Sequence, residues 1–100
     1  MTPRLVVRAA AEADITGAAL WYEQRSPGLG AEFLRAVDVT LAEIARMPER
    51  FPLVYHESRR ATLRRFPYAV YFVATRELIS VVACMHARRD PRRWEERVGG

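Results

Sequence analysis

The hydrophobic residues of this chain change period once, after Pro52, and that change constrains the fold more than any motif does. Before it, Ile15, Ala18, Ala19 and Tyr22 recur at helical spacing. Ser26-Pro27-Gly28-Leu29-Gly30 then breaks the pattern. A second helical run follows, with Phe33, Val37, Leu41 and Ile44 on one face and Glu32, Arg35, Asp38 and Glu43 opposite. Pro48 closes it. Two helices separated by so short a breaker form an antiparallel hairpin. After Pro52 the period falls towards two, and Arg60–Phe66, Tyr68–Thr75 and Leu78–Ala87 read as strands. Leu5-Val6-Val7 places a further strand, Arg4–Arg8, before the first helix.

The expected fold is therefore α+β: an N-terminal strand, then a helical hairpin packed on a small antiparallel sheet, in the order β-α-α-β-β-β. Asp90-Pro91 starts a turn or caps a short C-terminal helix. One hundred residues fit a single domain spanning 1–100. A chain of this mass exposes roughly 5,800 Å² folded against roughly 16,700 Å² unfolded, enough burial for one core. A lone cysteine excludes an internal disulfide and a cysteine-built zinc site, and no His or carboxylate spacing completes a metal site. No cofactor loop is present. The Leu78–Ala87 run is too short to span a bilayer, and Met1-Thr2-Pro3-Arg4 does not open a signal peptide. The expectation is a cytoplasmic protein without a membrane partner.

Turns at Phe66-Pro67 and Arg76-Glu77 set a strand register. In it Ile79, Val81, Ala83 and Met85 share an apolar face with Ala74, Phe72, Val70 and Tyr68, joined by Leu63 and Ala61. The helical hairpin covers that face. The other face collects Arg60, Thr62, Arg64, Ala69, Tyr71, Val73, Ser80, Val82, Cys84, His86 and Arg88.

All sixteen basic residues are arginine, and the net charge is +4. GC-rich codons account for the choice of arginine, but the positive balance suits an acidic partner. Three clusters carry candidate chemistry. On the polar sheet face, Arg60, Arg64, Tyr71, His86 and Arg88 could grip a phosphate backbone and stack a base. A ribonuclease built there would use His86 as base or acid and Arg64 or Arg88 against the phosphorane. A solvated sheet face produces the same list without any site. In the tail, four arginines (Arg88, Arg89, Arg92, Arg93) surround Trp94, which either anchors a partner or folds back on the core. On the first helix, Trp21 lies off the Ile15 stripe beside Asp14, Gly17 and Ala18, where it either borders a groove for a partner helix or packs inside. Cys84 reads as a buried structural thiol.

The order of elements, together with several runs, resembles the RelE/ParE superfamily of toxins, in its ParE-like branch. The runs are Glu12-Ala13-Asp14-Ile15, Leu20-Trp21-Tyr22-Glu23, Ser26-Pro27-Gly28-Leu29-Gly30, Phe33-Leu34, Pro48-Glu49-Arg50-Phe51-Pro52, Arg64-Arg65-Phe66-Pro67-Tyr68 and His86-Ala87-Arg88-Arg89-Asp90-Pro91. The resemblance implies a toxin of a type II toxin–antitoxin system that inhibits DNA gyrase. It also implies neutralisation, in a hetero-oligomer, by a cognate antitoxin with an acidic or amphipathic C-terminal segment. Operator DNA would be contacted mainly through the antitoxin. The antitoxin-facing residues would be Leu5, Val7, Ile15, Ala18, Trp21, Tyr22, Phe33, Arg60 and Arg64, and the target-facing ones Arg88, Arg89, Arg92, Arg93 and Trp94. Two alternatives stay open. One is a RelE-like endoribonuclease cutting mRNA on the ribosome with Arg64, Arg65, His86 and Arg88. The other is a non-toxic antitoxin-binding module. The end of the sequence, Arg97-Val98-Gly99-Gly100, offers no terminal tyrosine or histidine, and lysine is absent; both features favour the ParE-like branch.

Overall fold

The computed structural model describes residues 3–88 and 95–97. Strand β1 (Arg4–Val7) leads into helix α1 (Ala9–Arg25) and helix α2 (Leu29–Arg46). A 3-10 turn at Pro48–Arg50 precedes β2 (Leu53–Tyr55), β3 (Ser58–Thr62), β4 (Tyr68–Ala74) and β5 (Leu78–His86). Residues 95–97 are helical. The sheet order is β1-β5-β4-β3-β2. The meander is antiparallel as expected, and β1 joins its open edge parallel to β5, with Leu5 opposite Ile79 and Val7 opposite Val81. Parallel pairing needs a long connection between the two strands, and here the whole hairpin and meander lie between them.

The hairpin turn is tighter than the sequence suggests, because α2 begins inside the glycine cluster. Gly28 takes φ 90°, a left-handed conformation that suits glycine, and no side chain of its own caps the helix. Glu23 of α1 does so instead. Its carboxylate accepts hydrogen bonds from the Gly28 amide at 2.9 and 3.1 Å and from the Gly30 amide at 3.0 Å. This places a negative charge on the positive end of α2. At Gly30 the two helices nearly touch: a Cβ there would lie 2.6 Å from the Ala19 carbonyl oxygen.

The inner sheet face and the hairpin share one core. Phe33, Ile44, Phe72, Ile79, Val70 and Val81 are fully enclosed, and small Ala11, Ala18 and Ala19 bring α1 close to the sheet. Each large side chain buried this way contributes roughly 1.5–3 kcal/mol. Tyr22 is the hub of an aromatic cluster, with ring centroids 5.3 Å from Phe33, 5.0 Å from Phe66 and 5.9 Å from Tyr68.

Three expectations need correction. Strand β2 is absent from the sequence reading, since three residues between Pro52 and His56 show no period. The strand expected at Arg60–Phe66 runs instead from Ser58 to Thr62, because Arg65 enters the left-handed region at φ 70° and turns the chain. Third, the register between β4 and β5 slips. Ala74 faces Ile79 and Phe72 faces Val81 as expected, but Tyr71 then faces Ala83, Val70 faces Cys84 and Tyr68 faces His86. Val82 is the extra residue of a bulge. Beyond it, Cys84 packs in the helix-covered core, while Ala83 and Met85 pack with Ala69, Tyr71, Val54 and Tyr55 on the outer face.

Candidate functional site: a groove between the first helix and the bulged strand

The bulge decides what faces the helices. By turning Cys84 and His86 inward, it opens a groove of about 520 Å³ between α1 and the ends of β4 and β5. Ala13, Asp14, Gly17, Ala18, Trp21 and Tyr22 form the helical wall, and Pro67, Tyr68, Cys84, Met85 and His86 form the other. Small residues on α1 make the room. At Gly17 a Cβ would meet nothing within 4 Å. Trp21 is 46% exposed at the rim, T-shaped against Tyr22 at 5.1 Å, with the Arg25 guanidinium 4.2 Å over its ring. Tyr68 and His86 stack edge-on at 5.5 Å. His86 Nδ1 accepts a hydrogen bond from the Arg88 amide at 3.2 Å, which leaves Nε2 to carry the proton of the neutral ring.

The groove floor is held by a polar clasp. Strand β1 ends at Val7, opposite Val81, so the following stretch of β5 has an open edge. Asp14 covers it: its Oδ2 accepts from the Cys84 amide at 3.0 Å. Arg97 completes the arrangement. It donates to both Asp14 oxygens, at 2.6 and 3.3 Å, and to the Val82 carbonyl at 3.1 Å. Burial, aided by the Asp14 charge, pushes the Cys84 thiol up to about 12, so it is no nucleophile. Burial also raises the Tyr22 hydroxyl, with the neighbouring Tyr68 adding to the effect.

The structure gathers part of the expected partner-binding set and scatters the rest. Ala18, Trp21 and Tyr22 share the groove. Leu5, Val7 and Ile15 are half-buried against the core, and Phe33 is fully enclosed, so it supports Tyr22 instead of meeting a partner. Arg60 lies on the outer sheet face, hydrogen-bonded to Tyr71. Arg64 and Arg65 belong to a second groove, alongside α2, where they pair with Glu43 at 3.7 Å and Glu32 at 2.7 Å.

The nuclease constellation is therefore divided in part, since Arg88 alone of its arginines stays beside His86. His86 sits in the α1 groove, the two arginines sit beside α2, and Arg60 with Tyr71 lies on the far face. The sequence reading put His86 with Arg60 and Tyr71 because it allowed no bulge. Arg88 is exposed. Arg89, Arg92, Arg93 and Trp94 lie outside the described residues. Two residues that matter to the site, Asp14 and Arg97, were not singled out as ligating groups. Asp14 carried a signal, since it shares the Trp21 side of α1. Arg97 carried none, because its contact spans 83 residues of sequence. Among the described residues, no group of three or more His, Cys, Asp or Glu could hold a metal ion. None of the described helices is long and apolar enough to cross a membrane.

Comparison with known proteins agrees with this architecture. The chain is 29% identical to Toxin ParE2 of Mycobacterium tuberculosis, from strains CDC 1551 / Oshkosh and ATCC 25618 / H37Rv, over 100% of this chain and 96% of the relative. A solved structure, the chromosomal ParDE TA system from P. aeruginosa, shares the fold with a TM-score of 0.76 at 16% identity, covering 85% of this chain and 96% of that one. The family described as ParE toxin of type II toxin–antitoxin system, parDE, matches residues 5–91. That match spans β1 through the end of the meander, and the chain belongs to the ParE toxin family of type II toxin–antitoxin systems.

Proposed function

We propose that this chain is a single-domain cytoplasmic toxin that inhibits DNA gyrase. In this reading a cognate antitoxin holds it inactive in a hetero-oligomer by laying its C-terminal segment in the α1 groove. The observation that carries the antitoxin half is the groove itself: a trough of small, aromatic and polar residues with a half-exposed tryptophan at its rim. Such a trough accepts an amphipathic helix through one or two large apolar side chains. The net charge of +4 favours an acidic partner and speeds encounter. Operator DNA would be reached mainly through the antitoxin.

Inhibition of gyrase is supported over RNA cleavage by the separation of His86 from Arg64 and Arg65; Arg88 alone of the candidate cations stays beside the imidazole. Ribosome-dependent cleavage by Arg64, Arg65, His86 and Arg88 needs a base and a cation on one phosphate. Here the imidazole and the paired arginines belong to separate grooves. A supercoiling assay with the purified chain tests the proposal. Supercoiling should stop as the chain approaches stoichiometry with gyrase, and a stoichiometric antitoxin should restore it. Unimpeded gyrase together with cleaved ribosome-bound mRNA would establish the nuclease instead. An intact enzyme, intact transcripts and normal growth would leave the non-toxic binding module.

A further inference from the structure

We infer that the outer face of the sheet, opposite the helices, is a second docking surface, one that takes an acidic surface of the target protein. This rests on the proposal that the chain binds gyrase and names the face that does so. Charge is divided by element in this fold. None of the five strands contains an aspartate or glutamate; the acids lie on helices, in turns and from Asp90 onward. The outer face carries arginine instead. Arg4 and Arg60 point outwards, since their neighbours Leu5 and Ala61 pack in the helix-covered core. Arg8 Nη2 donates to the Ser80 hydroxyl at 3.1 Å, and Arg60 hydrogen-bonds Tyr71, so both guanidiniums lie along the sheet. Arg8 leaves the end of β1 and Arg60 stands on β3, three strand spacings or about 14 Å across the sheet.

Between them Val6, Val73 and Val82 are half-buried, and α1 and α2 pack on the opposite side. An apolar centre flanked by arginine and tyrosine, with no acid, has the make-up of a protein interface that meets an acidic partner. Nucleic acid fits less well: Tyr71 is 3% exposed, so it offers no ring for a base. A second copy brings the same arginines, and residues 89–94 of the chain bring three against one aspartate, so neither complements the face. The α1 groove lies on the helix side, so antitoxin and target meet different surfaces.

Biolayer interferometry on immobilised intact gyrase tests this with two double variants of equal charge change. Arg8→Glu with Arg60→Glu reverses the outer face. Arg46→Glu with Arg50→Glu reverses two exposed arginines that lie on no strand. The first should bind gyrase at least about tenfold more weakly, and the second within about twofold of the unsubstituted chain. Arg60→Glu alone, expected to cost about threefold, serves if the double variant does not fold. Equal weakening in both doubles, or full affinity in the face variant, would overturn the docking face. So would loss of binding to a short DNA duplex with gyrase affinity kept, which would mark a nucleic-acid surface. An unsubstituted chain that leaves gyrase unbound removes the gyrase reading and this inference together. Binding that the face variant retains removes the inference alone.

Discussion

Gly17 and Gly30 occupy similar sequence surroundings and do opposite work. Gly30 is required, because any Cβ would press on a backbone oxygen 2.6 Å away. Gly30→Ala should cost about 1–3 kcal/mol in urea unfolding. Gly17 has open space, so Gly17→Ala should gain about 0.5–1 kcal/mol from helix propensity alone. Cys84 gives a second residue-scale test. Its thiol is raised from 9.0 to about 12 in the folded state, so the unfolded chain loses the proton first. This group's contribution to stability is unchanged below pH 9 and falls between pH 9 and 12, by at most about 1.4 kcal/mol per pH unit. Alkylation at pH 8 should be slow in the folded protein and rapid in urea.

At the scale of elements, α2 depends on a cap lent by its neighbour. Glu23→Ala should destabilise by about 1–2 kcal/mol, read from the urea midpoint, because two amides and the helix dipole lose their partner. The hairpin was legible in the sequence, since its breaker cluster and apolar stripes are local signals. So was the antiparallel meander, from its alternation and turns. The bulge was not. Val82-Ala83-Cys84-Met85 is apolar on both faces, so no polar residue marks where the alternation slips. That single inserted residue moved His86 from the face of Arg60 and Tyr71 to the groove of Trp21. The candidate site was half legible for the same reason. Trp21 and its small neighbours on α1 could be read locally, whereas the opposing wall depends on a register set by packing. The parallel place of β1 and the reach of Arg97 to Asp14 are likewise long-range and leave no local trace.

At the scale of the whole molecule, the fold separates two kinds of surface. The α1 groove joins small residues, tyrosines, Asp14 and His86 with Trp21 at its rim, and in the α2 groove Arg64 and Arg65 are already paired with Glu43 and Glu32. A partner drawn in by net charge and seated by apolar contact should associate more slowly as salt rises, with little change in dissociation rate. Surface plasmon resonance at two ionic strengths reads this directly. The central claim is that the antitoxin seats in the α1 groove and not on the outer sheet face. Calorimetric titration of the antitoxin's C-terminal segment into Trp21→Ala and Arg60→Ala variants compares the two faces. Affinity should fall at least about tenfold for Trp21→Ala, which is about 1.4 kcal/mol, and stay near wild type for Arg60→Ala. Full affinity in Trp21→Ala, with binding lost in Arg60→Ala, would contradict the account.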